Sequence, residues 1–466
     1  LASLAPAARP LVAQASATPP AADPFIGTWQ GALDVGGGRA LRIGLAIREV
    51  AGTLAGTFTS IDQGNQRFTA LVERGGDTLR VSVPAAGIRF EGVLTAARDS
   101  VRGTFTQGNE RDPLAFGRVH ALARPARPQE PKPPYPYRAE DVTVESVPGV
   151  RLAGTLVVPE GRGPFPAVVL VSGSGPSDRD ESIHGHRPFL VIADHLARHG
   201  IASLRYDDRG VARSTGNHAA ATSADLATDT EAVVRWLRTR PEIARDRVSI
   251  VGHSEGGMIG PMVAARTRDV AFVVMLAGSG LRGDSVLALQ QAATQRAAGM
   301  PEPMVVETVR NASRLRSAVA SARDSADAVA RFDAAARALV AEQPEPVRDA
   351  LQMQLERERR VMTSPWVRYF LAHDPAPDLR RVRVPVLALN GTLDVQVPAT
   401  ENLAAIRAAL TAGGNRDHTQ TALPGLNHLF QTARTGGPAE YAQIEETFAP
   451  AALDAMTGWI VKRFVR

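Results

Sequence analysis

Apolar and polar positions change their rhythm along the 466 residues of this chain. Between residues 27 and 119 they alternate over short runs, at 41–47, 79–83 and 88–94, separated by glycine, aspartate or asparagine. A period of two broken by frequent turns predicts antiparallel strands. Leu54-Ala55-Gly56-Thr57-Phe58-Thr59 recurs as Val101-Arg102-Gly103-Thr104-Phe105-Thr106, which fits a meander. About eight such strands make a small all-β barrel or sandwich, placed here at residues 25–120. A proline-rich stretch at 121–138 then predicts a semi-rigid linker.

From residue 139 to 466 strands alternate with helices. Runs at 142–147 and 152–158 predict a leading antiparallel pair. Continuous apolar runs follow at 167–171, 202–206, 248–251, 271–276 and 384–389, with helical patterns at 188–199, 224–240 and 255–267. Strands apolar on both faces belong to a mainly parallel sheet covered by helices on either side. Residues 281–380 are rich in alanine, arginine and glutamate, keep a helical period and give no strand signal. They predict a helical cap inserted after the sixth strand of this doubly wound α/β domain.

Composition removes several functions. The 53 basic residues face 48 acidic ones, and lysine occurs only at Lys132 and Lys462. No basic run is interleaved with aromatics, so no nucleic-acid partner is expected. The absence of cysteine excludes disulfides, thiolate metal sites and a cysteine nucleophile. No stretch reaches the length of a membrane span. Residues 1–24 read either as the remnant of a secretory signal or as a disordered Ala/Pro leader, which tips the expected location toward periplasmic or secreted. His184 and His186 have no carboxylates at ligand spacing and read as structural rather than metal-binding.

The chemistry centres on Gly252-His253-Ser254-Glu255-Gly256, directly after the apolar run 248–251. A serine between glycines on a strand-to-helix turn is the pattern of a nucleophile elbow. The base it needs is assigned to His428, on the loop after a short strand at 419–423, and the orienting carboxylate to Asp394, on the turn after the strand at 384–389. His253, next to the serine, is expected to point away from it. Donors for an oxyanion are the N–H of Glu255, at the start of the following helix, and by analogy of position the N–H of Ser174, in the glycine-rich turn after strand 167–171.

Together these residues resemble the α/β-hydrolase superfamily, in particular the capped bacterial serine esterases and serine aminopeptidase-like hydrolases. The likeness runs from about 142 to 464 and includes Ser174-Gly175-Pro176-Ser177-Asp178-Arg179-Asp180 and Arg205-Tyr206-Asp207-Asp208-Arg209-Gly210. Ala212-Arg213-Ser214 departs from the Gly-x-Ser usual there. The resemblance implies a cofactor-independent serine hydrolase acting on a small-molecule carboxylic ester. A peptidase or acyl-CoA thioesterase would use the same three residues, and a non-catalytic ligand-binding protein could keep the same fold. Asp207, Asp208 and Arg209 read as a buried turn network, and Asp178, Arg179 and Asp180 as the rim of the substrate entrance. Trp366, Tyr369 and Phe370, near the end of the insertion, are candidates for the substrate pocket, with hinge packing as the competing role. The oligomeric state stays open, a homo-oligomer included.

Overall fold

The computed structural model describes residues 23–34, 40–50, 52–62, 66–108, 110–122 and 126–465. Residues 1–22 of the leader and 123–125 of the linker lie outside the described residues. The chain divides into two compact units, Leu1–Arg124 and Pro125–Arg466.

In the first unit β1 (Gly27–Asp34), β2 (Ala40–Val50), β3 (Thr53–Ser60), β4 (Gln66–Gly75), β5 (Thr78–Val83), β6 (Ile88–Leu94), β7 (Ser100–Gln107) and β8 (Glu110–Val119) follow one another as an antiparallel meander. Pairing of β8 with β1, through Thr28 opposite Val119, closes it into a barrel. Alternation decides which side chains enter: along β6, Ile88, Phe90 and Leu94 are buried while Arg89, Glu91 and Val93 face out. Phe25, Trp29, Leu45, Phe58, Phe105 and Phe116 complete the filling. Phe90 meets Phe116 edge-on at 5.0 Å, and the Trp29 indole N–H donates to the Phe25 carbonyl. The interior is a packed core.

The second unit is the α/β-hydrolase arrangement that the resemblance implied. Its strands are β9 (Tyr137–Glu145), β10 (Arg151–Pro159), β11 (Phe165–Val171), β12 (Ala202–Tyr206), β13 (Ile243–His253), β14 (Val273–Leu276), β15 (Val386–Gly391) and β16 (His418–Leu423), lying side by side in the order 16-15-14-13-11-12-10-9. Every pairing from β12 to β16 is parallel, and β9 and β10 join antiparallel at the far edge. The helices are α1 (Pro188–Arg198), α2 (Ser223–Leu237), α3 (Glu255–Ala264), α4 (Gly283–Ala297), α5 (Glu302–Ala320), α6 (Ser325–Ala341), α7 (Glu345–Met362), α8 (Pro365–Ala372), α9 (Ala376–Leu379), α10 (Ala399–Ala412) and α11 (Pro450–Phe464).

Successive side chains of β11 sort to opposite faces of the sheet. Val168 and Leu170 pack with Phe189, Ile192 and Leu196 of α1 and Met456 and Ile460 of α11. Ala167, Val169 and Val171 pack with residues of α2, α3 and α10, among them Val233, Ile259 and Ile406. Helices α4 to α9 form the insertion between β14 and β15, with a core of their own around Leu315, Val319, Phe332, Leu339 and Leu371.

Two local differences from the sequence reading have simple causes. Strand β9 starts at Tyr137, inside the stretch read as linker, because Tyr137 and Arg138 find ladder partners in Pro159 and Val158. Helix α2 starts at Ser223 because Thr222 and Asp225 form a capping box ahead of it. Residues 126–130 are also held firmly. Arg127 donates to the carbonyls of His184, Gly185, Ala442 and Ile444, Gln129 bonds Thr447 and Phe448, and Glu130 pairs with Arg187. Among the described residues no helix is long and apolar enough to cross a membrane.

These contacts give a first prediction. A fragment of residues 125–466 should melt at a higher temperature than one of residues 137–466, by at least about 5 °C, since several hydrogen bonds worth about 1 kcal/mol each are lost with residues 126–130. Thermal melts of the two fragments followed by circular dichroism test this; equal melting temperatures would mean that the segment lies loosely on the surface.

Candidate active site

Strand β13 ends at His253, and Ser254 turns the chain into α3 with φ 52° and ψ −114°. A non-glycine residue with positive φ is strained and needs its surroundings to hold it. Two glycines allow this. A β-carbon on Gly252 would stand 2.0 Å from the carbonyl oxygen of Gly256, and one on Gly256 would stand 2.0 Å from that of Val171. With neither present, α3 sits directly on the end of β11. The Ser254 N–H donates to the Leu276 carbonyl at 2.8 Å, tying the turn to β14.

Loops after β15 and β16 bring in two more side chains. His428 Nε2 lies 3.1 Å from Ser254 Oγ, and its Nδ1 donates to Asp394 Oδ2 at 2.9 Å. The other carboxylate oxygen of Asp394 accepts the N–H groups of Gln396 and Val397, both at 2.8 Å, so the carboxylate cannot swing away. Asn427 shapes the histidine loop: its Oδ1 accepts from the N–H groups of Leu429 and Gln431 and its amide donates to Gln431 Oε1. Serine hydroxyl, imidazole and carboxylate thus form one hydrogen-bonded row with the imidazole tautomer fixed. His428 and Asp394 are buried and Ser254 is half-buried.

The turn after β11 passes close to the serine. A β-carbon on Gly173 would lie 3.2 Å from that of Ser254. Two carboxylates hold this turn. Asp208 accepts from the Ser172 hydroxyl and the Ser177 N–H, and Glu181 accepts the Gly173 N–H at 2.6 Å. With the Gly173 N–H engaged, Ser174 carries the next amide of the turn and is exposed. Glu255 is the first residue of α3, where N–H groups have no partner within the helix.

Three side chains around Ser254 gain partners that sequence reasoning did not assign. His253 points away from the serine, as expected from the sequence, and toward the loop that carries His428, donating from Nδ1 to Glu181 at 2.8 Å and from Nε2 to the His428 carbonyl at 2.9 Å. Both ring nitrogens face oxygens, an arrangement that favours the imidazolium. Burial works against that charge, but Glu181, the His428 carbonyl and Asp394 outweigh it and raise the pKa. Glu181, with φ 51°, therefore links the turn after β11 to the histidine loop through His253. The Glu255 side chain turns inward, where Oε1 accepts from Ser223 Oγ at 2.5 Å and from the Trp366 indole N–H at 2.8 Å. Burial pushes its carboxyl above the usual range against those two hydrogen bonds. No sequence pattern marks these pairings, because each joins residues from separate elements.

Trp366 is thus tied to the residue after Ser254 and stacks on Phe370 at 5.1 Å. Phe370 is buried in the core beneath α8, and the Tyr369 hydroxyl lies 3.4 Å from His373 Nδ1. Asp178, Arg179 and Asp180, expected on the entrance rim, are consumed by local structure. Arg179 pairs with buried Asp207 and with Asp141, Asp180 with Arg205, and Asp178 accepts the N–H groups of Asp180 and Ser182. A rim reading overlooks that a buried Asp207 needs a counter-charge. Arg209 pairs with buried Asp229. His186 is buried among Thr447, the Tyr441 carbonyl and Gln431. Among the described residues no three His, Asp or Glu side chains converge as a metal site.

Comparison with known proteins adds to this geometry. The model of the X-Pro dipeptidyl-peptidase (S15) family matches residues 148–420. Esterase EstD of Thermotoga maritima is 37% identical over 144 residues, which cover 31% of this chain and 33% of that protein; the match spans about a third of the relative's length. The Pyrococcus furiosus esterase Pf2001 aligns at 15% identity and a TM-score of 0.43, over 71% of this chain and 92% of that one. The dienelactone hydrolase of Anabaena variabilis aligns at 18% identity and a TM-score of 0.39, over 71% and 100%.

The carboxylates at the site make its stability depend on pH. Burial pushes Asp208 up to about 8, aided by the charges of Glu255 and Glu181 and opposed by hydrogen bonds from Ser177 and Ser172. Below about pH 4 folded and unfolded chains both keep the proton. Between there and about pH 8 only the folded chain does, so stability falls with rising pH and levels off above. Asp208→Asn removes this loss. Its melting temperature should gain steadily on that of the wild type from about pH 4 to about pH 8; two parallel curves would contradict it.

Proposed function

This chain belongs to the X-Pro dipeptidyl-peptidase (S15) family, and we propose that within it the protein is a serine hydrolase that cleaves carboxylic esters through an acyl intermediate on Ser254. The observation that carries this reading is the row Asp394, His428, Ser254, with bonds of 2.9 and 3.1 Å, set on a strained strand-to-helix turn. His428 Nε2 takes the proton of Ser254 Oγ as the oxygen attacks the acyl carbon, and returns it to the leaving alkoxide. Asp394 keeps Nδ1 protonated and stabilises the imidazolium that forms. The N–H groups of Glu255 and Ser174 receive the oxyanion, the former aided by the dipole of α3. Water then attacks the acyl carbon with His428 as base, which frees the acid.

A dipeptidyl-peptidase needs a carboxylate to receive the free ammonium of its substrate. Around Ser254, Glu181 is paired with His253, Asp394 holds His428, Asp208 binds the turn after β11, and Glu255 is bonded to Ser223 and Trp366. Glu181, Asp394 and Asp208 are already occupied by the protein, and Glu255, whose Oε2 is buried without a partner, is pushed toward its neutral form by burial, which favours an ester over an amino-terminal dipeptide. The name of the EstD relative points the same way. The insertion, residues 281–380, acts as a cap over Ser254, with Trp366 as the wall of the acyl pocket nearest the nucleophile and Tyr369 and Phe370 supporting it.

Kinetics on short p-nitrophenyl esters, matched thioesters and Ala-Pro-p-nitroanilide test the assignment. The esters should be turned over and the anilide left intact. Ser254→Ala and His428→Ala should each lower kcat by at least about 10⁴-fold, and Asp394→Asn by about 10⁴-fold through the wrong tautomer, with folding retained. Preferential cleavage of the anilide would make the protein a peptidase; near-wild-type ester turnover by Ser254→Ala would require another nucleophile.

A further inference from the structure

Arg316, on α5 inside the insertion, is only 7% exposed. Its Nη1 donates to Gln291 at 3.0 Å and its Nη2 to Ser313 at 2.9 Å, while its Nε is buried without a partner. Among the described residues no carboxylate lies within 4.0 Å of the guanidinium. Burial lowers its pKa, and Asp284, the carboxylate whose charge opposes that, is itself paired with Arg282 at 3.3 Å. An arginine stays charged in proteins. A buried charge without a counter-ion is destabilising, and an anion bound beside it would offset that cost.

Space for such a ligand is present. Arg316 lines a groove of about 480 Å³ between α4, α5 and α7, walled by Leu287, Leu315 and Met362 and furnished with Gln290, Gln291 and Thr294 as neutral hydrogen-bonding groups. Glu358 stands at the same groove, but it is exposed and accepts from Gln354 on its own helix. Two side-chain contacts lead from the groove toward the reaction centre. Gln290 Nε2 lies 3.5 Å from Gln396 Oε1, and the Gln396 N–H holds Asp394. Leu287 packs in the same cluster as Trp366, which is bonded to Glu255 beside Ser254.

We propose that Arg316 and the groove around it form a carboxylate-binding subsite, so that the substrates of Ser254 are esters carrying a free carboxylate away from the scissile bond. With Ser254 as nucleophile, as proposed above, the carboxylate supplies the absent counter-charge and the guanidinium orients the acyl chain through paired N–H donors. Apolar walls accommodate the methylene groups between the two ends. A neutral ester of equal length leaves Arg316 uncompensated and binds less tightly.

Two series of p-nitrophenyl esters test this on the full chain: hemiesters of succinate, glutarate, adipate and suberate, and neutral acyl esters of matching length. At one or two chain lengths the wild type should favour the carboxylated ester by about tenfold or more in kcat/KM, through KM, as expected for a charge-assisted contact. Arg316→Gln should lower that ratio at least tenfold, and Arg316→Lys, which keeps the charge but not the fork, should fall between. Equal treatment of both series by the wild type, or an Arg316→Gln variant with the ratio unchanged, would overturn the subsite. If the wild type cleaves neither series, the ester assignment fails and the subsite is judged by thermal melts with free adipate. Adipate should raise the melting temperature of the wild type and not that of Arg316→Gln, and no rise in the wild type would reject it. Should Arg316→Gln fold poorly, Gln291→Leu serves in its place and should lower the same ratio.

Discussion

The architecture of the second unit turns on one close approach of backbone to backbone. Helix α3 can start where it does, with Ser254 at φ 52°, only because Gly252 and Gly256 let the elbow lie against the carbonyl of Val171. Any side chain at either glycine would put a carbon 2.0 Å from an oxygen, a separation that no rotamer relieves. Because β11, β13 and β14 are parallel neighbours, this contact fixes the heights of the turn after β11 and of the Leu276 carbonyl that receives the Ser254 N–H. The loops after β15 and β16 then need only continue the same sheet edge to bring Asp394 and His428 level with the serine. Strain at one residue is thus held by the packing of three strands.

Around that contact the protein buries several carboxylates, each managed differently. Asp394 takes two backbone N–H groups and the His428 ring. Glu181 is paired with His253, and through it the turn after β11 is linked to the loop that carries His428. Glu255 and Asp208 are pushed toward the protonated form by burial. Glu255 also receives the Trp366 indole, so the insertion is fastened to the residue that follows Ser254. Movement of α8 would therefore be felt at the elbow through a single hydrogen bond. Arg316 inverts the pattern, as a buried cation with no counter-ion among the described residues.

Period-two alternation made the strands of the first unit readable, since Ile88, Phe90 and Leu94 could only face one way. Whether they closed was not readable. Barrel closure depends on Thr28 meeting Val119, and no local pattern encodes a pairing between the two ends of a meander. In the second unit the apolar runs mark the strands, and the elbow, the Asp394 turn and the His428 loop stand out because each follows a strand end. Which buried charge faces which is hidden. Asp178, Arg179 and Asp180 read as the rim of the substrate entrance until Asp207 is seen to claim Arg179 and Arg205 to claim Asp180. Likewise Glu181 and His253 lie 72 positions apart, and only the fold makes them partners.

The central claim is that Ser254 is an activated nucleophile. It is tested most directly by treating the intact protein with a fluorophosphonate at neutral pH and locating the adduct by peptide mass spectrometry. A single stoichiometric modification on Ser254, abolished in His428→Ala, is the result predicted. An unmodified but folded protein, or a modification on another residue, would contradict the account.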